Sequence, residues 1–480
     1  MLTSSLQRFY GYGLILLLIG FYIGYATLYY SIFAIPVILF GACLFLLSLD
    51  KVLILIAFCT PFSVKILIGN AGVNLIDEPL MLLMLLFFLI KSYENLSTLK
   101  PLFKEPLTLA VVFNLVWIFI TTLTSTLPII SFKFLLARLW VVVFGFFWGS
   151  MLFKHPKKIK QFLFAFGLGL SIVVVYTFIR HFLHGFTQKT ATWVMNPFMD
   201  DHTVYGAVCS IVLTYSVILL LSKKSGISFF ERLLAFYISG CALIGVIFSY
   251  SRAAWLSLVF VFIFFLLLKL KIKFKTLLIS LLLILSVVFI YHDELYQHIR
   301  FNKSASGKNL QNDIQSISNV KTDVSNVERL NRWEAGWRMF QDKPFFGFGP
   351  GTYMFKYSSY QRAHEMTIIS TTKGTMGGMH SEYFGPMVES GFIGLLSILF
   401  LFGIYIKTSM ENYYQAFNRE NKLLNLAILL GLLTYFFHGL MNNFLDQDKA
   451  SVIFWALMGM SAALSMKRKE VINGISGIES

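Results

Sequence analysis

The chain has 480 residues, of which 57% are hydrophobic and 13% charged, with a mean hydropathy of +0.71 and a formal net charge of +16. A soluble chain of this length carries about 25% charged residues, so composition excludes an ordinary soluble fold. The positive charge is gathered in short clusters between apolar runs, which is the pattern of membrane topology and not of a nucleic-acid-binding face.

One bilayer crossing needs about 20 mostly apolar residues. Runs of that kind predict helical spans near 10–28, 30–49, 52–69, 79–91, 106–126, 133–153, 161–183, 203–221, 232–250, 252–268, 276–291, 383–406, 424–444 and 450–466. The run at 79–91 is short and Lys65 interrupts the one before it; reading these two as re-entrant or interfacial lowers the total from 14 to 12. Arg8 precedes the first span and no small-residue cleavage site follows it, as in a retained signal anchor. Lys and Arg concentrate in cytoplasmic loops. Lys154, Lys157, Lys158 and Lys160, then Lys269, Lys271, Lys273 and Lys275, then Lys467, Arg468 and Lys469, therefore place both termini in the cytoplasm. Cys43, Cys59, Cys209 and Cys241 all fall in apolar runs without metal-ligand spacing, and are expected to be small core residues.

The expected fold class is an all-α integral membrane protein of about 12 to 14 transmembrane helices with one large periplasmic loop containing short helices. An N-terminal bundle over 1–290, the loop over 291–382, and C-terminal helices with a cytoplasmic tail over 383–480 form one integrated membrane domain. The loop opens with a Ser/Asn/Lys-rich run, 302–326. It then turns amphipathic, with Leu330, Trp333, Trp337 and Phe340 at helical spacing, and reaches the turn-rich Pro344, Gly347, Gly349, Pro350 and Gly351. That glycine run lacks the lysine and serine of a nucleotide-binding loop, so no nucleotide site is expected there.

Ionisable groups at membrane depth are costly and call for a reason. Arg138 lies inside a predicted span; Arg180, His181 and His184 end one; Asp200, Asp201 and His202 precede one; Arg252 begins one; His380 and Glu389 flank the start of another. Arg252 follows a very short turn: it either snorkels to lipid head groups or binds an anionic ligand, and a guanidinium suits phosphate because it donates two parallel hydrogen bonds. Arg329 and Arg332, nearly one helical turn apart, form either a solvated basic face or a second anion contact. His380 is either structural or, with its ordinary pKa near neutrality, the general base for a sugar hydroxyl. Glu389, nine residues on, is expected to stabilise the fold or pair with an arginine. No paired carboxylates or spaced histidines suggest a metal, and no cofactor is expected.

Taken in order, Arg329-x-x-x-Trp333, then Phe340-x-Asp342-x-Pro344-x-x-Gly347-x-Gly349-x-Gly351, then His380-Ser381 and Gly391-x-x-Gly394 resemble the signature of the O-antigen ligase and O-antigen polymerase superfamily, most strongly from Ser249 to about Ile406. The resemblance implies a metal-independent, cofactor-free glycosyltransferase of lipopolysaccharide biosynthesis in the bacterial inner membrane. Its donor would be a glycan on undecaprenyl pyrophosphate and its acceptor a lipid or glycan hydroxyl, such as one on lipid A core, at the periplasmic face. Arg252 and Arg329 would bind the pyrophosphate and stabilise its departure, and His380 would take the acceptor proton. Arg332, Arg138, His202 and Glu389 are carried as neighbours. The ligase is preferred to the polymerase. A polysaccharide or lipid transporter is the reading from another class, and it predicts repeated halves with charges near the midplane.

Overall fold

A computed structural model of the protein describes residues 49–68, 71–74, 77–94, 99–221, 226–290, 324–367, 370 and 377–476. Among the described residues, nine helices are long and apolar enough to cross a bilayer. The predicted spans at 10–28 and 30–49, apart from Leu49, lie outside them, as do Arg8, Cys43 and nearly all of the Ser/Asn/Lys-rich run.

The described chain starts with α1 (Leu49–Cys59), an antiparallel hairpin of β1 (Lys65–Ile68) and β2 (Ala71–Asn74), and α2 (Asp77–Glu94). The expected continuous span at 52–69 is therefore not formed. Pro61 disfavours helix in the residue before it and lacks the N–H that would continue the ladder, and a short 3₁₀ turn at Thr60–Phe62 follows. The carbonyls released there are not left bare: Lys449, buried, donates to Thr60 O and Ser63 O, both at 2.8 Å. α2 carries Asp77, Glu78, Lys91 and Glu94, which sets it apart from the nine spanning candidates.

The nine are α3 (Pro106–Leu123), α4 (Pro128–Leu152), α5 (Pro156–Leu183), α6 (His202–Leu220), α7 (Phe229–Phe248), α8 (Arg252–Lys269), and, after the shorter apolar α9 (Phe274–Ile290) and the more polar α10 (Val324–Asp342), α11 (Phe384–Tyr414), α12 (Arg419–His438) and α13 (Asp448–Ser476). Proline opens α3, α4 and α5, where its missing N–H costs nothing. Ser228 with Glu231 forms a capping box at α7, and Asp201 caps α6 by accepting from Thr203 N and Val204 N. The all-α class holds, with the small hairpin as an addition to it.

Burial orders the bundle. The apolar stretch of α13 is buried throughout, those of α12 and α6 to 78% and 72%, and that of α8 to only 28%, so α13 is the axis and α8 the rim. In an apolar solvent helices associate through close backbone contact. A Cβ on Gly459 of α13 would lie 2.5 Å from Gly145 O of α4, inside the six-residue π-helical turn Val143–Trp148. Exposed Leu109, Phe113, Val116, Val259, Phe262 and Ile263 line the outer faces of α3 and α8 and suit lipid contact.

The alternating helices divide charge between two ends. One end carries the lysine clusters at 154–160 and 269–275, with Lys160 paired to Glu231 at 2.9 Å and Glu420 at 3.1 Å. The other collects the start of α6, α8, α11 and α13, the ends of α5, α7 and α12, and α10 with its following loop.

Candidate functional site

The site is assembled at that second end, on α10. Its sequence is amphipathic, and Trp333 anchors it: the indole stacks on Phe384 at 5.4 Å and donates to Met379 O at 3.1 Å. Met339, Phe348, Tyr353, Tyr357, Met379 and Val388 form a separate apolar cluster beneath it. One helical turn of α10 then offers Glu328, Arg329 and Arg332 to the bundle. Arg332 is buried, donates through Nε to Glu328 Oε1 at 3.0 Å, and reaches Gly378 O at 3.0 Å and His380 Nε2 at 2.9 Å through Nη1. Its guanidinium also lies 5.7 Å from the Tyr357 ring centre.

His380 is held on several sides. Its backbone is left-handed, φ 54°, which is unusual for a residue with a Cβ and persists only where the surroundings enforce it. Asn443 Oδ1 accepts from His380 N at 3.0 Å, and Asn442, whose Nδ2 stands 3.1 Å from His438 Nε2, acts on the imidazole from the same side. Burial, then the charges of Arg332 and Arg329, push the imidazole pKa down to about 3 against the opposing influence of Asp201 and Asn442. His380 is therefore neutral at physiological pH.

Arg252 opens α8 just after Tyr250, itself left-handed at φ 51° and tied by its hydroxyl to Phe186 O at 2.8 Å. This turn delivers Arg252 to Arg329. Burial, then the neighbouring charge of Arg252, lowers the Arg329 pKa to about 10, with Arg332 adding to the lowering and Asp201 opposing it. His202 lies within the fields of Asp201, Arg329 and Arg252. Arginines from α8 and α10 thus lie within each other's field, with the carboxylate of Asp201 acting on Arg329, and guanidiniums gathered in this way suit an anionic group.

Four of the residues selected from sequence are linked to His380: Arg332 by direct contact, Arg329 through its charge, and Arg252 and His202 through Arg329. Two are not. Arg138 pairs with Asp446 at 3.3 Å, and Glu389 accepts from Tyr353 N at 3.0 Å. Both line a separate cavity of about 50 Å³ between α3, α4 and α11, together with Glu382 and Trp117. Burial, then the nearby Asp446, raises the Glu382 pKa to about 7. Glu389 and Arg138 therefore belong to the packing of α11 and not to the surroundings of His380. Three residues that the sequence reading missed belong to the site: His438, Asn442 and Asn443. They fall in what was read as the apolar span 424–444, whereas α12 ends at His438; a histidine and two asparagines at membrane depth were the available signal.

Among the described residues, no three His, Cys, Asp or Glu side chains are grouped to hold a metal ion. No curated protein matches the chain. A family model described as O-antigen ligase matches residues 237–399, about a third of the chain, from within α7 to the middle of α11. Arg252, Arg329, Arg332 and His380 all lie inside it, while His202, His438, Asn442 and Asn443 pack against it from outside. With its many apolar helices, the chain is a polytopic membrane protein in which residues 237–399 are similar to the O-antigen ligase family.

Proposed function

We propose that the protein is an O-antigen ligase-like glycosyltransferase that moves a glycan from undecaprenyl pyrophosphate to an acceptor hydroxyl, such as one on lipid A core, at the periplasmic face of the inner membrane. One observation supports this reading: Arg329, whose charge acts on His380, also lies in the field of Arg252 from a different element, at the end of the bundle opposite the lysine clusters. By the preference of basic loops for the cytoplasm, that end faces the periplasm. The leaving group of the reaction is a lipid pyrophosphate, whose negative charge grows as the bond to the anomeric carbon breaks. Two fixed guanidiniums in a water-poor site stabilise that charge more in the transition state than in the bound donor. The acceptor hydroxyl must lose its proton as it attacks, and His380 is the neutral group placed to take it.

The test is transfer by the purified protein in nanodiscs, from an undecaprenyl-pyrophosphate-linked glycan, with and without lipid A core, the products resolved by size. The expected result is core-dependent addition of the whole glycan. Arg329→Ala and His380→Ala should remain folded and inserted while losing transfer by on the order of 10²-fold or more. A ladder of products without core would reassign the protein to the polymerases; retained transfer in either variant would remove that residue from the chemistry.

A further inference from the structure

The contact between Arg332 Nη1 and His380 Nε2, at 2.9 Å, fixes the state of the imidazole. A guanidinium has no lone pair to offer and keeps its protons in proteins, so Arg332 is the donor. Nε2 is then the nitrogen with the lone pair, and the single ring proton sits on Nδ1. A lone pair that already accepts an N–H cannot accept the proton of an incoming hydroxyl. In this state the base that the proposed reaction needs is occupied.

We propose that Arg332 is a donor-operated latch: its guanidinium caps His380 Nε2 until the pyrophosphate of the donor, drawn in by Arg252 and Arg329, takes the guanidinium over and frees the imidazole. The inference rests on the reading of His380 as the base. Arg332 is tethered for such an exchange. Its Nε stays on Glu328 Oε1, and Glu328 is itself held by Ser370 and by Thr367 Oγ1 at 2.8 Å, so the stem is fixed while Nη1 alone bridges to Gly378 O and His380. A phosphate oxygen is the stronger partner, because it pairs charge with charge where the imidazole offers only a neutral nitrogen.

The groups facing His380 come from four directions: Arg329 and Arg332, with Glu328 behind, from α10; Asp201 from the start of α6; His438 through Asn442 from the end of α12; and Asn443 from the segment after it. After burial, Arg332 is the largest influence holding the imidazole neutral. Pairing that guanidinium with an anion therefore also makes the base stronger as it is uncapped. In the step itself, the acceptor O–H proton passes to Nε2 and the oxygen bonds to the anomeric carbon. The bond from that carbon to the pyrophosphate breaks, the electron pair leaves with the lipid pyrophosphate, and the imidazolium afterwards returns its proton to water. An enzyme built this way takes its donor first.

The test compares pH profiles of the wild type, Arg332→Gln and Arg332→Lys in the transfer assay. The acid limb of kcat/KM for the donor reports the free enzyme and that of kcat reports the complex. The latch predicts that Arg332→Gln moves the kcat/KM limb up by at least one pH unit and that Arg332→Lys, which keeps the charge, leaves it in place. Ionisation of the donor is common to all three proteins and cancels. A uniform loss in Arg332→Gln with the kcat/KM limb unmoved would make Arg332 a strut and overturn the latch. Should Arg332→Gln not fold, the wild type decides alone: its kcat limb must lie at higher pH than its kcat/KM limb, and coincident limbs refute the latch while leaving transfer intact. A wild type that transfers nothing from a matched donor brings down the functional reading, and the latch with it.

Discussion

His380 occupies a backbone conformation that costs energy for any residue with a Cβ, and Asn443 Oδ1 accepts from its N–H at 3.0 Å as part of what holds it there. Removing that acceptor leaves a half-buried N–H unsatisfied and the imidazole less well placed, at a cost of about 1.4 kcal/mol, or roughly tenfold in rate. Asn443→Ala should therefore lower kcat about tenfold with little change in KM for the donor, since the arginines are untouched; steady-state kinetics at saturating acceptor measure this, and a rise in KM alone would place Asn443 in donor binding instead. At this scale much of the site is legible in the sequence. Arg252, Arg329, Arg332 and His202 stand out because a charged or titratable side chain at membrane depth needs a reason, and they prove linked to His380, directly or through Arg329. The same rule also selects Arg138 and Glu389, because it does not say which neighbour satisfies a charge: here an aspartate and a backbone N–H do so in another cavity. His438, Asn442 and Asn443 stay hidden for the converse reason, being counted inside an apolar run whose helix stops early.

Between elements, the glycines of the ordered motifs have a steric explanation. Gly391 interrupts α11 with φ 71°, and a Cβ there would lie 2.0 Å from Phe345 O. The loop runs along this kink as a short hydrogen-bonded seam, with Phe348 N to Val388 O at 3.2 Å, Gly349 N to Glu389 O at 2.8 Å and Phe392 N to Pro344 O at 2.8 Å. Gly347, with φ 68° and an imagined Cβ 2.4 Å from the Glu389 carbonyl carbon, is the matching half. The sequence marks this glycine run as turns without a nucleotide; that its partner is a kinked spanning helix 40-odd residues on is a tertiary fact that no local pattern carries. Gly391→Ala combines a forbidden conformation with a backbone clash, and should cost on the order of 3 kcal/mol or more. Gly403, on the same helix, has open space around it, and Gly403→Ala should leave stability unchanged or slightly raised. Thermal unfolding of both variants in one detergent tests the contrast; equal melting temperatures would mean that the seam contributes nothing.

Across the whole molecule, the membrane class follows from composition and the order of helices from hydropathy, since each span is a local property. The hairpin between α1 and α2 is not local. The chain leading into it is tied down by Lys449, almost 400 residues away, which donates to the carbonyls of Thr60 and Ser63 where α1 has ended. A second long-range junction is Glu382, where the loop, α12 and the start of α13 meet: its Oε1 accepts from Tyr435 OH at 2.5 Å, Phe444 N at 2.7 Å and Leu445 N at 2.9 Å. Burial and the nearby Asp446 outweigh these bonds and hold its pKa at about 7, above an ordinary glutamate value of 4.5. The folded protein therefore binds this proton more tightly than the unfolded chain does, and the associated stability is fully present below pH 4.5 and is lost as pH rises through about 7. Glu334, raised to about 7 by burial and by Glu365, adds a loss of the same sign. His380, depressed to about 3, works in the opposite direction, its contribution growing as pH rises towards 6.5. The variant that isolates Glu382 is Glu382→Gln, which keeps a carbonyl acceptor for the three donors and carries no charge at any pH. Its melting temperature minus that of the wild type should increase steadily from pH 4.5 to pH 8, whereas a difference that is flat over this range would show that Glu382 is ionised throughout and that its three hydrogen bonds outweigh its burial.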